Sequence, residues 1–167
     1  MTDKIFGILK KELPSVQKNI LLKNHTTFKI GGPAEYFFAA KRKEDLTKAV
    51  KLAKKLKLPF FILGGGSNLL FDDSGFCGLV IRVKSEGLKV DGERISADAG
   101  VLVAKVVKAA ADAGLSGLEA WNGLPGTVGG AVYGNAGCFG VECKDVLESA
   151  EVFLPGEGVK TVNVGAL

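Results

Sequence analysis

The stretch LPFFILGGGSNLLFDDSGF, residues 58–76, decides the fold, because a short apolar run ends in three consecutive glycines. An apolar run of this length, bounded by turn signals, is typical of a buried strand, which we predict for residues 59–63. Glycine costs backbone entropy on folding, so a glycine cluster persists where the main chain needs special dihedrals or a close approach. We therefore predict that the chain after this strand lies against a ligand or against another part of the backbone.

The segments before this stretch extend it into a βαβ unit. Residues 34–40 (AEYFFAA) predict a strand, and residues 44–57 predict an amphipathic helix, because apolar residues recur there every three or four positions. The crossover connection predicts parallel strands. Eight of the 22 basic residues lie in residues 41–57. The same periodicity places them on the solvated face of the helix, which argues against a nucleic-acid or membrane site.

The remaining segments predict two further helices, a strand and two hairpins. They are an N-terminal helix, a strand at residues 78–83, a hairpin turning at Asp91-Gly92, a helix at residues 101–113 that ends before Gly114, and a hairpin turning at Pro155-Gly156. The composition changes near residues 74–78. We therefore predict a first subdomain at residues 1–75 and a second at residues 76–167.

The overall composition is that of an ordinary globular protein. Of the 167 residues, 47% are hydrophobic and 24% are charged, and the net charge is +4. No window approaches the ~18 apolar residues of a spanning helix, and the charged, amphipathic N-terminus is unlike a secretory signal. The three cysteines and one histidine match neither a disulfide framework nor a zinc site. We predict a cytoplasmic protein without a bound metal and without membrane insertion.

A second glycine-rich segment, residues 114–140, contains nine glycines. Neither this segment nor residues 58–81 contains a lysine or an arginine. An anion bound at either place would therefore be held by backbone N–H groups, and a hydrogen bond to a charged group contributes roughly 1.5–3 kcal/mol. The pattern favours a phosphate-bearing cofactor. A tight turn with a glycine-lined packing contact is the structural alternative and stays open.

The common nucleotide-binding motifs do not fit the first glycine cluster. A P-loop requires Gly-Lys followed by Ser or Thr, which occurs nowhere in the chain. In the dinucleotide fingerprint G-x-G-x-x-G, Gly64 and Gly66 match, but the last position is Leu69 and no clear helix pattern follows. Neither a P-loop nor a Rossmann site is predicted.

Three motifs together resemble the UDP-N-acetylenolpyruvoylglucosamine reductase family, flavoenzymes of peptidoglycan precursor synthesis. They are NHTTFKIGGPAEYF at residues 24–37, ILGGGSNLL at residues 62–70 and GLPGTVGGAVYGNAGCFG at residues 123–140, in the order and spacing of that family. The resemblance is to the N-terminal, FAD-binding part. It implies an α+β fold, an FAD-binding module of the vanillyl-alcohol oxidase (PCMH) type, with two small α+β subdomains, mixed and antiparallel sheets, and the flavin between them.

FAD is the cofactor that the resemblance implies. The loop that holds its diphosphate in the family carries over onto Leu63, Gly64, Gly65, Gly66, Ser67, Asn68 and Leu69. The loop that lies along the cofactor carries over onto Pro125, Gly126, Thr127, Val128, Gly129 and Gly130, and less closely onto Asn135, Ala136 and Gly137.

The reaction that the resemblance implies passes a hydride from NADPH to the flavin and then to the enolpyruvyl group of a UDP-sugar, giving UDP-N-acetylmuramate. The family assigns this chemistry to an arginine in a Tyr-Arg-x-Ser motif, a serine proton donor and a late glutamate. None of these motifs occurs in the 167 residues. We therefore expect part of an oxidoreductase that lacks catalytic residues and the substrate-binding domain. We expect it to bind FAD weakly or not at all, and not to turn over the UDP-sugar.

Two other functions remain open. A non-catalytic flavin- or nucleotide-binding module is the alternative, and a basic interaction protein is a third class. An unfilled cofactor cleft predicts self-association through exposed apolar surface. Single residues that are open to a cofactor role, but for which we expect a structural or exposed position, are His25, Glu119, Trp121, Phe139 and Glu142.

Overall fold

A four-stranded sheet organises the first half of the chain. The computed structural model describes residues 2–165, in a first unit that ends at residue 85 and a second that begins at residue 86. The elements of the first unit are α1 (Thr2–Glu12), β1 (Gln17–Leu21), β2 (Pro33–Ala40), α2 (Lys43–Lys55), β3 (Phe60–Leu63) and β4 (Phe76–Val83).

The predicted βαβ elements are confirmed, but β2 and β3 do not pair with each other. Each pairs in parallel with β4, which lies between them, and β1 runs antiparallel to β2 at the sheet edge. The central place of β4 follows from its composition, because Leu79, Val80 and Ile81 are all fully buried. A strand buried on both faces reads as a continuous apolar run and suits the middle of a parallel sheet.

Both faces of this sheet are covered. On one face the ring of Phe6 in α1 stacks on Tyr36 in β2, with ring centroids 6.2 Å apart. The amphipathic helix α2 contacts β2 and β4 and buries its alanine-rich stripe. On the opposite face the side chains form one apolar cluster, whose buried members are Leu22, Ala34, Phe37, Leu63, Phe71 and Val80.

The second unit consists of short helices and two-stranded antiparallel sheets. Its elements are β5 (Leu88–Asp91), β6 (Arg94–Ala97), α3 (Val103–Asp112), α4 (Val128–Tyr133), β7 (Gly137–Cys138), β8 (Val141–Glu142), α5 (Cys143–Val146), β9 (Ser149–Leu154) and β10 (Gly158–Asn163). The hairpins β5–β6 and β9–β10 confirm the two predicted turns. Gly114 follows α3 with φ +68°, the left-handed conformation that glycine adopts most easily after a helix.

The glycine-rich segment of the second unit is more ordered than its composition indicates. It contains a short 3₁₀ helix (Glu119–Trp121), helix α4 and the β7–β8 hairpin. Trp121 lies at the centre of the unit's apolar cluster with Val103, Ala131 and Cys143. A large aromatic side chain therefore anchors a stretch of small residues.

The division of the chain falls after β4, at residues 85 and 86, whereas the sequence places a boundary at 75 and 76. Residues 76–83 belong to the first sheet because β4 supplies the hydrogen-bonding partner of both β2 and β3. Within residues 2–165, no helix is both long enough and apolar enough to cross a membrane.

Candidate functional site

The first glycine loop, Gly64–Leu69, begins where β3 ends. Its preceding residue, Leu63, is fully buried and pairs in register with Arg82 near the end of β4. Because β2, β3 and β4 are parallel, their carboxyl ends meet at this edge of the sheet. Open α/β sheets bind ligands at the carboxyl ends of their strands. The predicted diphosphate loop thus occupies the edge where a ligand is expected.

Several backbone N–H groups of the first glycine loop point to no acceptor. In the described part of the chain, the amides of Gly64, Gly65, Gly66 and Asn68 donate no hydrogen bond. Ser67 is half-buried, Asn68 is exposed, and Leu69 packs against the apolar cluster of the sheet. Consecutive unpaired amides in a turn form a concave donor set that suits an anion. The loop therefore has the donors that a diphosphate requires.

Gly66 has a second role, which is packing. Its φ is +72°, and a Cβ built on it would lie 2.1 Å from the backbone oxygen of His25. Its own carbonyl accepts a hydrogen bond of 2.9 Å from the N–H of Thr27. The structural alternative considered for the glycine cluster therefore applies to Gly66: it lets the segment that begins NHTTF lie directly against the loop.

His25 and Arg82 form a hydrogen-bonded pair on the face of the sheet that carries Phe37 and the apolar cluster. The Arg82 guanidinium donates through Nη1 to Nδ1 of His25, and the His25 ring stacks on Phe37 with centroids 4.6 Å apart. Burial, together with the positive charges of Arg82 and Lys84, lowers the pKa of His25. The ring is therefore neutral at neutral pH, with its hydrogen on Nε2, because a guanidinium can only donate.

The lowered pKa of His25 predicts an acid-sensitive first unit. The unfolded chain, in which His25 has its ordinary pKa of 6.5, takes up a proton more readily than the folded chain. The free energy of unfolding is therefore at its full value above 6.5 and falls as the pH drops below it. We expect urea unfolding between about pH 8 and about pH 5 to show this loss, and His25→Asn, which keeps an acceptor for Arg82, to show less of it. Equal pH dependence in both proteins would contradict the assignment, and His25 is the only histidine.

In the second glycine loop, Pro125–Gly130, about half of the backbone N–H groups donate hydrogen bonds to other residues of the second unit. Val128 N–H donates to the Val101 carbonyl at 2.8 Å, and Gly129 N–H donates to the Ala99 carbonyl at 2.9 Å. A Cβ on Gly129 would lie 2.8 Å from that of Ala99, so this glycine is required for packing. The amides of Gly126 and Thr127 donate no hydrogen bond within residues 2–165.

Thr127 carries a polar atom without a partner. The residue is 5% exposed, and among the described residues its hydroxyl Oγ1 is buried with no hydrogen-bond partner. A buried hydroxyl without a partner costs about 1–3 kcal/mol. Such a group indicates a place where a ligand supplies the missing partner.

The third predicted group is committed to holding its own loop. Asn135, with φ +42°, donates from Nδ2 to the Glu142 carboxylate at 3.0 Å and accepts the Lys144 N–H on Oδ1 at 3.0 Å. Ala136 donates to a helix α4 carbonyl and accepts from Cys143, while Gly137 is paired in β7. These hydrogen bonds explain the conformation of the three residues without any contact to a ligand.

The single residues that the sequence leaves open to a cofactor role do not form a cluster. Trp121 is buried and its Nε1 donates to the Val141 carbonyl at 3.2 Å, whereas Phe139 is 88% exposed at the tip of the β7–β8 hairpin. The carboxylate of Glu119 accepts its own backbone N–H and, at 2.7 Å, the Gly117 N–H, and these hydrogen bonds lower the pKa of the carboxyl. No group of three His, Cys, Asp or Glu side chains that could hold a metal occurs among residues 2–165.

Comparison with known families identifies the fold that carries these loops. The FAD binding domain family matches residues 34–163, which includes both glycine loops. The chain belongs to the FAD binding domain family. FAD is the ligand of that family, and its diphosphate oxygens are hydrogen-bond acceptors of the kind to which the unpaired amides of the first loop can donate.

Two similar proteins carry the same name. The UDP-N-acetylenolpyruvoylglucosamine reductase of Clostridium novyi (strain NT) is 41% identical over 150 residues, which are 89% of this chain and 48% of the relative. That of Caldicellulosiruptor bescii is 44% identical over 145 residues, 86% of this chain and 46% of the relative. The resemblance seen in the motifs is confirmed, and the chain spans about half the length of the curated relatives it matches.

Two solved structures share the fold. The crystal structure of the reductase from Thermus caldophilus superposes with a TM-score of 0.74 at 39% identity, covering 89% of this chain and 52% of that one. Alkyldihydroxyacetonephosphate synthase superposes with a TM-score of 0.73 at 17% identity, covering 99% of this chain and 36% of that one, which shows the fold alone. The predicted α+β, FAD-binding module of the vanillyl-alcohol oxidase type is confirmed.

Arg82 lies next to the first glycine loop, and the sequence alone does not predict this position. The first glycine loop contains no cation in its own sequence, yet strand pairing brings Arg82 opposite Leu63, the residue before the loop. A signal was present, because Arg82 is the one charged residue in the apolar run GLVIRV. A charge within a buried strand is rare unless it has a partner or a function.

Proposed function

We propose that this chain is the FAD-binding portion of an NADPH-dependent, cytoplasmic flavoenzyme that reduces UDP-N-acetylglucosamine enolpyruvate to UDP-N-acetylmuramate in peptidoglycan precursor synthesis. The observation that carries the proposal is the set of unpaired amides in the first glycine loop, at the carboxyl ends of parallel strands. The family supports FAD as the ligand, and the name shared by the relatives supports the reaction.

In this proposal the residues have distinct tasks. The amides of Gly64, Gly65, Gly66 and Asn68 hold the diphosphate of FAD. The remaining residues of the first loop shape it, with Leu63 fixing its start in the core. In the second loop the donors are the amides of Gly126 and Thr127 and the Thr127 hydroxyl. Its other predicted residues, Pro125, Val128, Gly129 and Gly130, together with Asn135, Ala136 and Gly137, give the second unit the backbone path that presents them.

The chemistry that FAD supplies when bound is hydride transfer between NADPH and the enolpyruvyl group. Within the 167 residues the chain's own contribution is to bind and orient the cofactor, because the Tyr-Arg-x-Ser motif of the family's reaction is not among them. We therefore propose that these residues alone do not turn over the UDP-sugar, since the groups that stabilise the developing charge must be in place for catalysis.

The proposal is tested by titrating FAD into the purified chain and recording its visible absorption and fluorescence. We expect weak but saturable binding, seen as a change in the flavin spectrum, with no consumption of NADPH when the UDP-sugar is added. ADP, which shares the diphosphate, is expected to compete with FAD. Binding of ADP without any flavin response would favour the alternative, a nucleotide-binding module without flavin chemistry. The absence of binding for both ligands would contradict the proposal.

The unpaired hydroxyl of Thr127 predicts two opposite effects of a single substitution. Thr127→Val has nearly the same shape and removes a buried hydroxyl that lacks a partner, so we expect the free energy of unfolding without ligand to rise by about 1 kcal/mol. If the hydroxyl binds FAD, the same change weakens FAD binding by about fivefold to tenfold. Urea unfolding and FAD titration measure the two effects.

Thr26→Val is the matched control for this substitution. Thr26 is equally buried, but its hydroxyl donates to the Ile30 carbonyl at 3.1 Å. Its loss is therefore expected to destabilise the chain by about 1 kcal/mol, the opposite sign. If Thr127→Val is destabilising to the same extent as Thr26→Val, the hydroxyl of Thr127 already has a partner and the ligand assignment is wrong.

A further inference from the structure

Arg82 is a half-buried cation whose charge no described residue of the first unit balances. Within residues 2–165 it forms no ion pair with a carboxylate, and burial alone lowers the pKa of its guanidinium. Its one hydrogen-bond partner is neutral His25, and its Nε is buried with no acceptor. Removing part of a guanidinium from water without a counter-charge is unfavourable, so this arrangement suits an anion.

The fold places this charge beside the loop that lacks one. Arg82 pairs in register with Leu63, the last residue of β3, and Gly64 is the residue that follows Leu63. Its side chain lies on the same face as Val80, two residues earlier, because side chains alternate along a strand. The loop and the cation therefore share one edge of the sheet, although residues 58–81 contain neither lysine nor arginine.

His25 links the two features physically. Its ring accepts the hydrogen bond from Arg82, and its backbone oxygen lies 2.1 Å from the position that a Cβ on Gly66 would take. Thr27, two residues later, donates its N–H to the Gly66 carbonyl at 2.9 Å. The base of the loop is thus fixed by strand pairing with Arg82, and its apex is fixed by the segment that orients the guanidinium.

We propose that Arg82 is a ligand-binding residue of this site, whose guanidinium supplies the positive charge that balances a diphosphate held by the amides of the first glycine loop. The proposal rests on the proposed function and adds a residue to it. His25 is a positioning residue in this arrangement: as a neutral acceptor it holds the guanidinium in place without cancelling its charge. The ligand class is any nucleotide that contains a diphosphate group, and FAD is the member of this class that the family favours.

The test separates charge from hydrogen bonding at position 82. Arg82→Gln keeps an N–H donor for His25 but is neutral, whereas Arg82→Lys keeps both a donor and the charge. Lys84→Gln is the matched control, because Lys84 is an exposed cation two residues along the same path and also acts on His25. FAD affinity is measured for all four proteins by flavin fluorescence, with thermal unfolding as the check on folding.

We expect Arg82→Gln to weaken FAD binding by at least about tenfold, since a hydrogen bond or close contact with a charged group carries that much affinity. Arg82→Lys is expected to stay within about threefold of the parent chain, and Lys84→Gln within about twofold, as for an exposed charge. Unchanged binding in Arg82→Gln, or equal losses in the glutamine and lysine variants, would overturn the role of the charge.

A second measurement decides the matter if Arg82→Gln does not fold. Inorganic pyrophosphate is expected to raise the unfolding temperature of the parent chain and of Arg82→Lys, because a ligand that binds only the folded state stabilises it. No such rise in either protein would overturn the proposal. Failure of the parent chain to bind FAD while pyrophosphate still protects it would instead defeat the proposed function and leave the anion site standing.

Discussion

Gly66→Ala is expected to destabilise the first unit by about 3–4 kcal/mol. The left-handed backbone at φ +72° costs an alanine roughly 1–2 kcal/mol, and the added Cβ would lie 2.1 Å from the His25 backbone oxygen. Relieving that clash requires the backbone to shift, since no flexible side chain can give way, and such overpacking costs about 2 kcal/mol more. Urea unfolding followed by circular dichroism measures the loss, and FAD binding is expected to disappear with it.

Gly114→Ala is the control for the backbone conformation alone. Gly114 has φ +68°, almost the same as Gly66, but a Cβ there would meet nothing within 4 Å. It is therefore expected to cost only about 1–2 kcal/mol. If the two substitutions cost the same, the contact between Gly66 and the His25 segment does not determine the loop, and the packing argument fails.

Trp121→Ala is expected to destabilise the second unit by about 3–5 kcal/mol, the usual cost of removing a buried tryptophan. Trp121 is 6% exposed and packs with Val103, Ala131 and Cys143. The cavity also exposes the Cys143 thiol, whose pKa is raised by burial. Cys77 is exposed and Cys138 is half-buried, so the slow phase of thiol labelling reports on Cys143. We expect this phase to become fast in Trp121→Ala.

Trp121→Phe separates packing from hydrogen bonding at this position. It keeps most of the apolar area but loses the donor to the Val141 carbonyl, so a smaller loss of about 1–2 kcal/mol is expected. Thiol labelling is expected to stay slow in this variant. Slow labelling in Trp121→Ala as well would mean that the tryptophan does not cover Cys143 and that another group holds the cluster together.

The elements that the sequence predicts well are those defined by neighbouring residues. The apolar stripe of α2 has a period that only a helix satisfies. The turn at Asp91-Gly92 joins β5 and β6 because glycine there has φ +58°, a conformation suited to a tight hairpin. Helix α4, in contrast, is hidden by its sequence VGGAVY, since two of its six residues are poor helix formers.

The elements that the sequence does not predict depend on distant pairing. The continuous apolar run in residues 76–83 suits a central strand, but it does not indicate which strands lie on either side of β4, because strand order is a property of the whole sheet. The same limit hid Arg82, which becomes a neighbour of the first glycine loop only through that strand order. The glycines of the loop allow a prediction that its backbone N–H groups are accessible to a ligand. The packing role of Gly66 is not predictable, because it depends on where residues 25–27 lie.

The most direct test of the account is the response of individual backbone amides to FAD, recorded by ¹⁵N-resolved NMR. If the first glycine loop holds the diphosphate, the N–H signals of Gly64, Gly65, Gly66 and Asn68 move downfield and exchange with solvent more slowly when FAD binds, because each gains a charged acceptor. If FAD binds while these signals stay unchanged and the largest shifts lie elsewhere, for example in α2, the diphosphate is held at another place.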